Sequence, residues 1–301
     1  MPRNMLPTAS SVAAIVLVLL LAIHPYLAHA GATAHTMTAC GNVQIDTAQS
    51  KFGGASGLFD GAGDYLSAPN SVDFDFSTGG WTIDFWIRRN GNQADYAGIV
   101  AVCSTADTGW TITFGAVAAG TQNKVRVVSK ASGAFQVDLT ASDAIADATW
   151  THVAIVRYGN VLTIYYDGVS KGTKDVTGYN YASSETGLVV GRYYTDSDAL
   201  YFNGWLDELR VSKGVARWTS NFTTAASAYT ADSLTVLLLH MNGADGSTTF
   251  IDDSAVPGPD FSINASPTSQ SVGAGSTASF TLTLNALGGF SGTVSLSVTS
   301  G

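Results

Sequence analysis

The feature that most constrains this chain is a pair of alternating segments and a tight turn between Trp150 and Gly172. Apolar and polar side chains alternate along Trp150–Tyr158, and a second alternating run covers Val161–Tyr166. Asp167-Gly168 then supplies two residues that tolerate positive φ, as a type I′ hairpin turn requires. Since side chains alternate between the two faces of a strand, this stretch predicts antiparallel β-structure.

The same alternation occurs along Trp81–Arg88. It places one set of side chains on the predicted core face: Trp81, Ile83, Phe85 and Ile87. Further short strands with turn residues between them continue to Leu234–His240. Closely spaced strands without intervening helices predict an all-β sandwich rather than a βαβ architecture.

Charge excludes some classes of partner. Charged residues are 12% of the 301 residues, and 14 Lys and Arg face 23 Asp and Glu, for a net charge of −9. A surface this acidic repels nucleic acid and anionic membranes. We therefore expect no nucleic-acid partner and no adsorption to membranes.

The N-terminus predicts export. Arg3 precedes a 12-residue apolar run, Val12–Ile23, and Ala28-His29-Ala30 fits a cleavage site. This pattern indicates a signal peptide over residues 1–30, with no membrane insertion after cleavage. The alternative is an uncleaved anchor, but at 1.5 Å per residue the run reaches only about 18 Å of a ~30 Å hydrocarbon core.

Three phrases carry a family resemblance: WTIDFWIR at 81–88, the hairpin at 150–172, and LDELRVSKGVARW at 206–218. Together they resemble the laminin-G-like jelly roll, a concanavalin A-like lectin/glucanase sandwich. The resemblance implies a two-sheet antiparallel jelly-roll sandwich over residues 31–254 that presents a binding surface. Leu234–Ser254 resembles the opening strand of this family, so it either closes the sandwich from the other end or starts a second repeat.

The C-terminal part differs from the sandwich in its residue pattern. Residues 255–260, with Pro257 and Pro259, predict a stiff linker. Residues 261–301, with the phrase GFSGTVSLSV, resemble the opening of a bacterial immunoglobulin-like repeat. A complete sandwich of that kind needs about 100 residues, so we expect a truncated immunoglobulin-like β-segment.

Enzymatic chemistry is not predicted. Glucanases of this fold carry clustered carboxylates on one strand, whereas this chain has only Glu185 and Glu208 and no such pattern. Asp207 and Glu208 are adjacent on a predicted strand and should point to opposite faces. His152 has no partner pattern of a catalytic base and is expected to be a packed, hydrogen-bonded histidine.

Calcium is the one cofactor that the resemblance implies. Members of the concanavalin A-like group often carry a structural calcium, and the DGAGDY loop and LDEL strand match family positions. The candidate metal ligands are Asp60, Asp64 and Asp207. The alternative is that Asp60 and Asp64 cap turns and that Asp207 pairs with an arginine.

A sugar-binding site needs exposed aromatic rings beside polar groups. The loop RYYTDSDALYF offers both, and Tyr96 and Trp110 are further aromatic candidates. The predicted ligand contacts are Tyr193, Tyr194, Asp196, Asp198, Tyr201 and Trp110. The alternative for each aromatic is ordinary sheet packing.

Two cysteines, Cys40 and Cys103, are expected to form a disulfide in an oxidising compartment, or else to be two unpaired thiols. The resulting hypothesis is a secreted, non-catalytic binding or adhesion module for an extracellular glycan or glycoprotein. The alternatives are a structural surface protein and an accessory domain of a larger hydrolase.

Overall fold

The computed structural model describes residues 34–105, 108–131, 134–179, 187–193, 200–254, 260–267, 277 and 279–287. These residues contain a single-turn 3₁₀ helix at Val72–Phe74 and seventeen β-strands. The strands are β1 Thr38–Cys40, β2 Gln44–Asp46, β3 Ser56–Asp60, β4 Tyr65–Ser67, β5 Trp81–Arg89, β6 Gly98–Thr105, β7 Thr108–Phe114, β8 Val125–Ala131, β9 Ala134–Thr140, β10 Thr151–Tyr158, β11 Val161–Tyr166, β12 Val169–Asp175, β13 Leu188–Val190, β14 Asn203–Lys213, β15 Thr235–Leu239, β16 Asp260–Ser266 and β17 Thr281–Leu287.

Two antiparallel sheets form the sandwich. Sheet A has seven strands in the order β1-β4-β13-β6-β7-β8-β9. Sheet B has eight strands, in the order β12-β11-β10-β5-β14-β3-β2 with β15 paired to β14. The all-β jelly-roll prediction is confirmed by this two-sheet arrangement.

The core lies between the two sheets and is built by strand alternation. Trp81, Ile83, Phe85 and Ile87 of β5 all point into it, as the sequence predicted. Phe76 stacks between the two largest rings of the core, at centroid distances of 5.0 Å from Trp81 and 5.3 Å from Trp110. Burying such large rings supplies much of the apolar area that stabilises the fold.

The predicted hairpin turn is confirmed. Asp167 has φ +47° and Gly168 has φ +78°, and the turn joins β11 to β12. Both residues therefore adopt the left-handed region that a type I′ turn requires.

Residues 234–254 complete the sandwich rather than start a second repeat. β15 pairs antiparallel with β14, and Ile45 of β2 exchanges backbone hydrogen bonds with Gly246 and Ser247. The imidazole Nδ1 of His35 lies 3.0 Å from Asp252 Oδ2, so the first described residues of this body contact its C-terminal end. The compact unit extends from Gly31 to Val256.

The C-terminal segment forms a separate unit. In its described residues, β16 pairs antiparallel with β17 from Asp260↔Leu287 to Ser266↔Thr281. The phrase GFSGTVSLSV and most of the predicted linker lie outside the described residues, so the immunoglobulin-like identity stays a prediction. The predicted signal peptide also lies outside them. Where the structure is described, no helix has the length and apolar character needed to cross a bilayer.

Candidate functional site

The outward side of sheet A carries a row of small side chains that runs across all seven strands. The register places these residues opposite one another in turn: Thr38, Ser67, Val189, Ala101, Thr111, Val128 and Asp138. Ala101, Thr111 and Val128 are almost wholly buried. A ligand on this side would therefore meet the taller side chains that surround the row.

Those taller side chains are aromatic and basic. We call them the tyrosine face and define it by Tyr65, Tyr96, Arg126, Phe135, Arg192, Tyr193 and Tyr201. Tyr65 and Arg126 point outward because their strand neighbours, Leu66 and Val125 among them, lie in the core. Phe135 is 56% exposed and Tyr96 is 38% exposed, while the other rings are half-buried.

Arg126 makes most of the contacts on one side of this face. Its guanidinium carbon lies 5.4 Å from the Tyr96 ring centroid and 5.6 Å from that of Phe135, both within cation–π range. Its Nε and Nη2 donate to the two carboxylate oxygens of Asp138 at 2.8 and 2.7 Å. This hydrogen bonding lowers the pKa of Asp138, so the pair is ionised at neutral pH. The Arg126 guanidinium is thereby held in place by contacts within the protein.

A second cation–aromatic pair lies at the other side of the face. The guanidinium of Arg192 lies 4.2 Å from the Tyr65 ring centroid. A hydrogen bond with the Cys40 thiol raises the pKa of the Tyr65 phenol, which therefore stays protonated and can donate. Tyr201 bridges by its backbone to both Gly98 and Arg192.

Gly98 allows the 192–193 segment to approach β6. A Cβ at this position would lie 2.0 Å from Tyr193 N and 2.1 Å from the carbonyl carbon of Arg192. Gly98 N and Tyr193 N both donate to the carbonyl of Leu200, at 3.0 Å each. Only a residue without a side chain permits this close contact, which places Arg192 and Tyr193 on the face.

The predicted ligand residues divide into three groups. Tyr193 and Tyr201 lie on the tyrosine face. Tyr194, Asp196 and Asp198 lie outside the described residues. Trp110 was predicted wrongly: it is 1% exposed and stacks in the core, because its side of β7 faces sheet B.

The predicted orientation of Asp207 and Glu208 is wrong. β14 pairs Asp207 with Trp86 and Arg210 with Asp84, so two residues of β14 face one of β5. This β-bulge interrupts the alternation, and Glu208 adopts φ +54° there. Leu206 and Leu209 both lie in the core, which leaves Asp207 and Glu208 together on the outward side of sheet B.

Both carboxylates are fully buried and already hydrogen-bonded. Asp207 Oδ2 accepts the backbone N–H groups of Lys51 and Phe52 at 2.7 and 3.0 Å. Burial raises the pKa of Asp207 to about 7, with a further contribution from the charge of Glu208. Glu208 accepts from the backbone N–H of Tyr229 at 2.7 Å and lies 2.8 Å from His240 Nδ1. These acids hold the chain together and do not line an open cleft.

His152 is a packed histidine, as predicted. It is 1% exposed, and its Nε2 lies 2.8 Å from the Tyr229 hydroxyl and 3.5 Å from Asp84 Oδ2. Its ring packs edge-on against Trp86, Trp218 and Phe222. These contacts hold residues 218–229 against sheet B.

The three carboxylates proposed for calcium do not form one site. Asp60 pairs with Asn203, and Asp207 lies four residues further along β14, about 13 Å away at 3.3 Å per residue. Both oxygens of Asp64 accept backbone N–H groups, from Asn42 and Asp60. Asp60 accepts from Ala62 N, the turn-capping arrangement. Among the described residues, no three His, Cys, Asp or Glu converge as metal ligands. A calcium ion held by Asp60 and Asp64 with loop carbonyls stays a prediction, and Asp207 cannot join it.

The predicted disulfide is not formed. Cys40 is a free thiol on β1. β1 and β6 are separated by β4 and β13, so the backbones of Cys40 and Cys103 are three strand spacings apart, roughly 14 Å. A disulfide needs Cα atoms closer than about 7 Å. The backbone positions therefore exclude the predicted Cys40–Cys103 bridge.

Comparison with known families decides the identity of the sandwich. The Laminin_G_3 family model, described as the concanavalin A-like lectin/glucanases superfamily, matches residues 60–220, which is more than half of the chain. The chain belongs to this superfamily. The match covers β4 to β14 and therefore most of both sheets and the whole tyrosine face.

Solved structures with a similar fold include domain 4 of AbnA, an extracellular GH43 arabinanase from Geobacillus stearothermophilus, solved with arabinotriose. It shares 17% identity at a TM-score of 0.45, over 60% of this chain and 83% of that one. A Bacteroides ovatus protein with an inferred carbohydrate-binding role shares 16% sequence identity at a TM-score of 0.41. The match covers 73% of this chain and 58% of that one. The binding domain of botulinum neurotoxin serotype G shares 15% sequence identity at a TM-score of 0.43. The match covers 64% of this chain and 45% of that one.

A search of curated proteins found none that matches this chain.

Sequence reasoning missed several members of the tyrosine face: Tyr65, Arg126, Phe135 and Arg192. Alternation alone places Arg126 outward, since Val125 and Val127 are apolar. What the sequence does not contain is the register that brings Arg126 of β8 beside Phe135 of β9 and the loop residue Tyr96. A β-bulge between Ser129 and Lys130 sets the register of β8 with β9, and Tyr96 belongs to a loop thirty residues before Arg126.

Proposed function

We propose that this concanavalin A-like chain is a non-catalytic module that binds an extracellular glycan or glycoprotein through the tyrosine face. Pyranose rings have apolar faces and hydroxyl rims, and they suit sites in which aromatic rings alternate with hydrogen-bonding groups. The tyrosine face has that composition, with Phe135 and Tyr96 exposed on either side of Arg126. This grouping is the observation that carries the proposal.

A binding role without catalysis is supported by how the acids are used. Glycosidases need two carboxyl groups on opposite sides of a bound sugar, about 5–9.5 Å apart. On the tyrosine face, Asp138 is engaged by Arg126 through both oxygens. On sheet B, Asp207 and Glu208 are fully buried. Neither arrangement offers an acid and a nucleophile to a sugar from solvent.

The predicted signal sequence supports a location outside the cell, where such glycans occur. The protein's negative charge supports a neutral or locally recognised ligand rather than an extended polyanion. We therefore include secretion and a glycan partner in the proposal.

The test is a glycan array followed by titration of the best ligand, with and without calcium. Phe135→Ala and Tyr96→Ala should each weaken binding roughly two- to tenfold, since an aromatic contact is worth about 0.5–1.5 kcal/mol. Tyr158→Ala is the matched control, because Tyr158 is also an exposed aromatic, at 63%, but lies at the end of β10 in sheet B.

Equal loss in the Tyr158 variant would show that the effect is not specific to this face. Failure of every polysaccharide and glycoprotein to bind would reject the proposal in favour of a structural surface role.

A further inference from the structure

The outward side of sheet B carries most of the protein's tryptophans. Of the six in the chain, Trp81 and Trp110 lie in the core. The other four are Trp86, Trp150, Trp205 and Trp218, and all lie on the outward side of sheet B or on the segment covering it. Of these four, Trp150, Trp205 and Trp218 are partly exposed, and exposed apolar rings grouped on one face often mark an interaction site.

Two of these indoles flank one arginine. Trp205 of β14 pairs with Arg88 of β5. Thr151 of β10 pairs with Ile87, so Trp150, the residue before it, lies on the opposite side of Arg88. The indole Nε1 of Trp205 donates to Asp46 Oδ2 at 2.6 Å, which fixes the orientation of its ring. Trp150, Trp205 and Arg88 are all partly exposed.

A lysine lies beside this row. The Lys51 ammonium is 3.8 Å from the Trp86 ring centroid and 5.5 Å from that of Phe52. The backbone N–H groups of Lys51 and Phe52 are held by the buried carboxylate of Asp207. Trp86 and Arg88 are two residues apart on one side of β5, about 7 Å along the strand. We call Lys51, Phe52, Arg88, Trp150 and Trp205 the tryptophan face.

The two cations of this face differ from the cations that form ion pairs elsewhere in the protein. Arg126, Lys171, Arg210 and Arg217 each hold a carboxylate. The Arg88 guanidinium lies 5.0 Å from the Trp205 ring centroid, and within the described part of the chain neither it nor the Lys51 ammonium pairs with an acid. Their charges are thus supported by aromatic rings, and their N–H donors remain for a ligand.

We propose that the tryptophan face is a second ligand site and that it binds a saccharide carrying a carboxylate, such as a uronic or sialic acid. The indoles of Trp150 and Trp205 would contact the apolar faces of the sugar rings, and Arg88 would donate to the carboxylate, with Lys51 as a second cation. A guanidinium matches a carboxylate bidentately, which favours an acidic sugar over a neutral one.

The net negative charge of the protein disfavours a nucleic acid as the ligand of this face. The chain carries a net charge of −9, so a long polyanion is repelled by the rest of the surface. A single carboxylate responds mainly to cations within about 8–10 Å, the screening length at physiological salt. This site goes beyond the proposed function, because it lies on the other sheet and selects for charge.

The experiment is a titration of the full chain by tryptophan fluorescence and calorimetry. The probes are trigalacturonic acid and sialyllactose, with the methyl ester of trigalacturonic acid and lactose as their neutral counterparts. The acids should bind at least tenfold tighter than the neutral probes. Arg88→Gln and Lys51→Gln should each weaken the acids about tenfold or more, as expected for a charge-assisted hydrogen bond.

Matched controls separate this site from the tyrosine face. Lys171→Gln removes a surface cation elsewhere and should change nothing. Trp150→Phe and Trp205→Phe keep an aromatic ring for packing and should weaken acidic and neutral probes alike. The melting temperature of each variant establishes that it is folded.

Three results discriminate. The site on the tryptophan face is supported if the Arg88 and Lys51 variants lose binding of the acidic probes and Phe135→Ala keeps it. This result does not depend on whether the tyrosine face binds a glycan. Binding that depends on Phe135 and Tyr96 but not on Arg88 or Lys51 overturns this inference and leaves the proposed function standing. Absence of binding to all four probes, while another glycan binds, also overturns it; absence of any glycan binding rejects both.

Discussion

Asp84 and Arg210 form a two-pronged ion pair on the outward side of sheet B, with Nε–Oδ1 and Nη2–Oδ2 distances of 3.0 and 2.8 Å. Asp84 is fully buried; burial alone would raise its pKa, but the hydrogen bond with His152 and the charge of Arg210 together lower it. Arg210→Met would leave the carboxylate buried without its cation. We expect a loss of about 3–5 kcal/mol in the free energy of unfolding, measured by urea denaturation.

A double variant, Asp84→Leu with Arg210→Met, should recover much of that loss, because apolar replacement of a whole buried pair is often neutral. Lys171→Ala breaks the exposed pair with Asp143 and should leave the urea midpoint nearly unchanged. An Arg210→Met protein as stable as the parent would contradict the assignment of this pair to the structural network.

Asp207 predicts a pH dependence of stability. Its pKa is raised from 3.8 to about 7 in the folded protein by burial and by the nearby Glu208. Between these values the folded state holds a proton that the unfolded state has released. The free energy of unfolding should therefore fall as pH rises from about 4 to about 7, by up to roughly 1.4 kcal/mol per pH unit from this group.

Asp207→Asn removes that titration while keeping an oxygen for the Lys51 and Phe52 N–H groups. The difference between the two stability curves, measured by urea unfolding from pH 4 to 8, isolates Asp207 from other titrating groups. Parallel curves for parent and variant would mean that Asp207 titrates normally.

The sequence predicted those parts of the fold that follow from local alternation. Trp81, Ile83, Phe85 and Ile87 face the core because a regular strand repeats every two residues, and β5 is regular. The same rule failed at Asp207 and Glu208, because a β-bulge depends on how β14 matches two partner strands, β5 and β15. The sequence of one strand alone does not show where such a mismatch occurs.

The candidate sites show the same division. Tyr193 and Tyr201 were found from composition, since their loop is visibly rich in tyrosine. Their companions Arg126 and Phe135 depend on cross-strand register. Trp110 was misassigned because a large aromatic suits a core and a sugar platform equally well until its neighbours, Phe76 and Trp81, are known.

Cys40 should react as a free thiol. It is half-buried on the edge strand β1, and the sheet order keeps it far from Cys103. When the protein is unfolded without reduction and alkylated, intact-mass spectrometry should show two labelled cysteines. A reducing agent should leave the melting temperature unchanged. One or no label without reduction, and two after it, would instead indicate a bridge and a different strand order in sheet A.

Gly98 predicts a coupling between the fold and the tyrosine face. Gly98→Ala would place a Cβ 2.0 Å from the backbone nitrogen of Tyr193, an atom that cannot move without its segment. We expect displacement of residues 192–193 and a loss of about 1–3 kcal/mol in stability, the usual range for overpacking. Urea denaturation measures that loss, and titration with the best array ligand should show weaker binding.

Gly79→Ala is the matched control for this substitution. Gly79 does not adopt positive φ, and the nearest atom to its added Cβ, Phe76 O, lies at an ordinary 3.5 Å. Its stability and ligand binding should equal those of the parent. If Gly98→Ala behaved like this control in both measurements, the close approach of the Arg192–Tyr193 backbone to β6 would be wrong. The placement of Tyr193 on the tyrosine face would then fail with it, because that contact is what brings the segment beside β6.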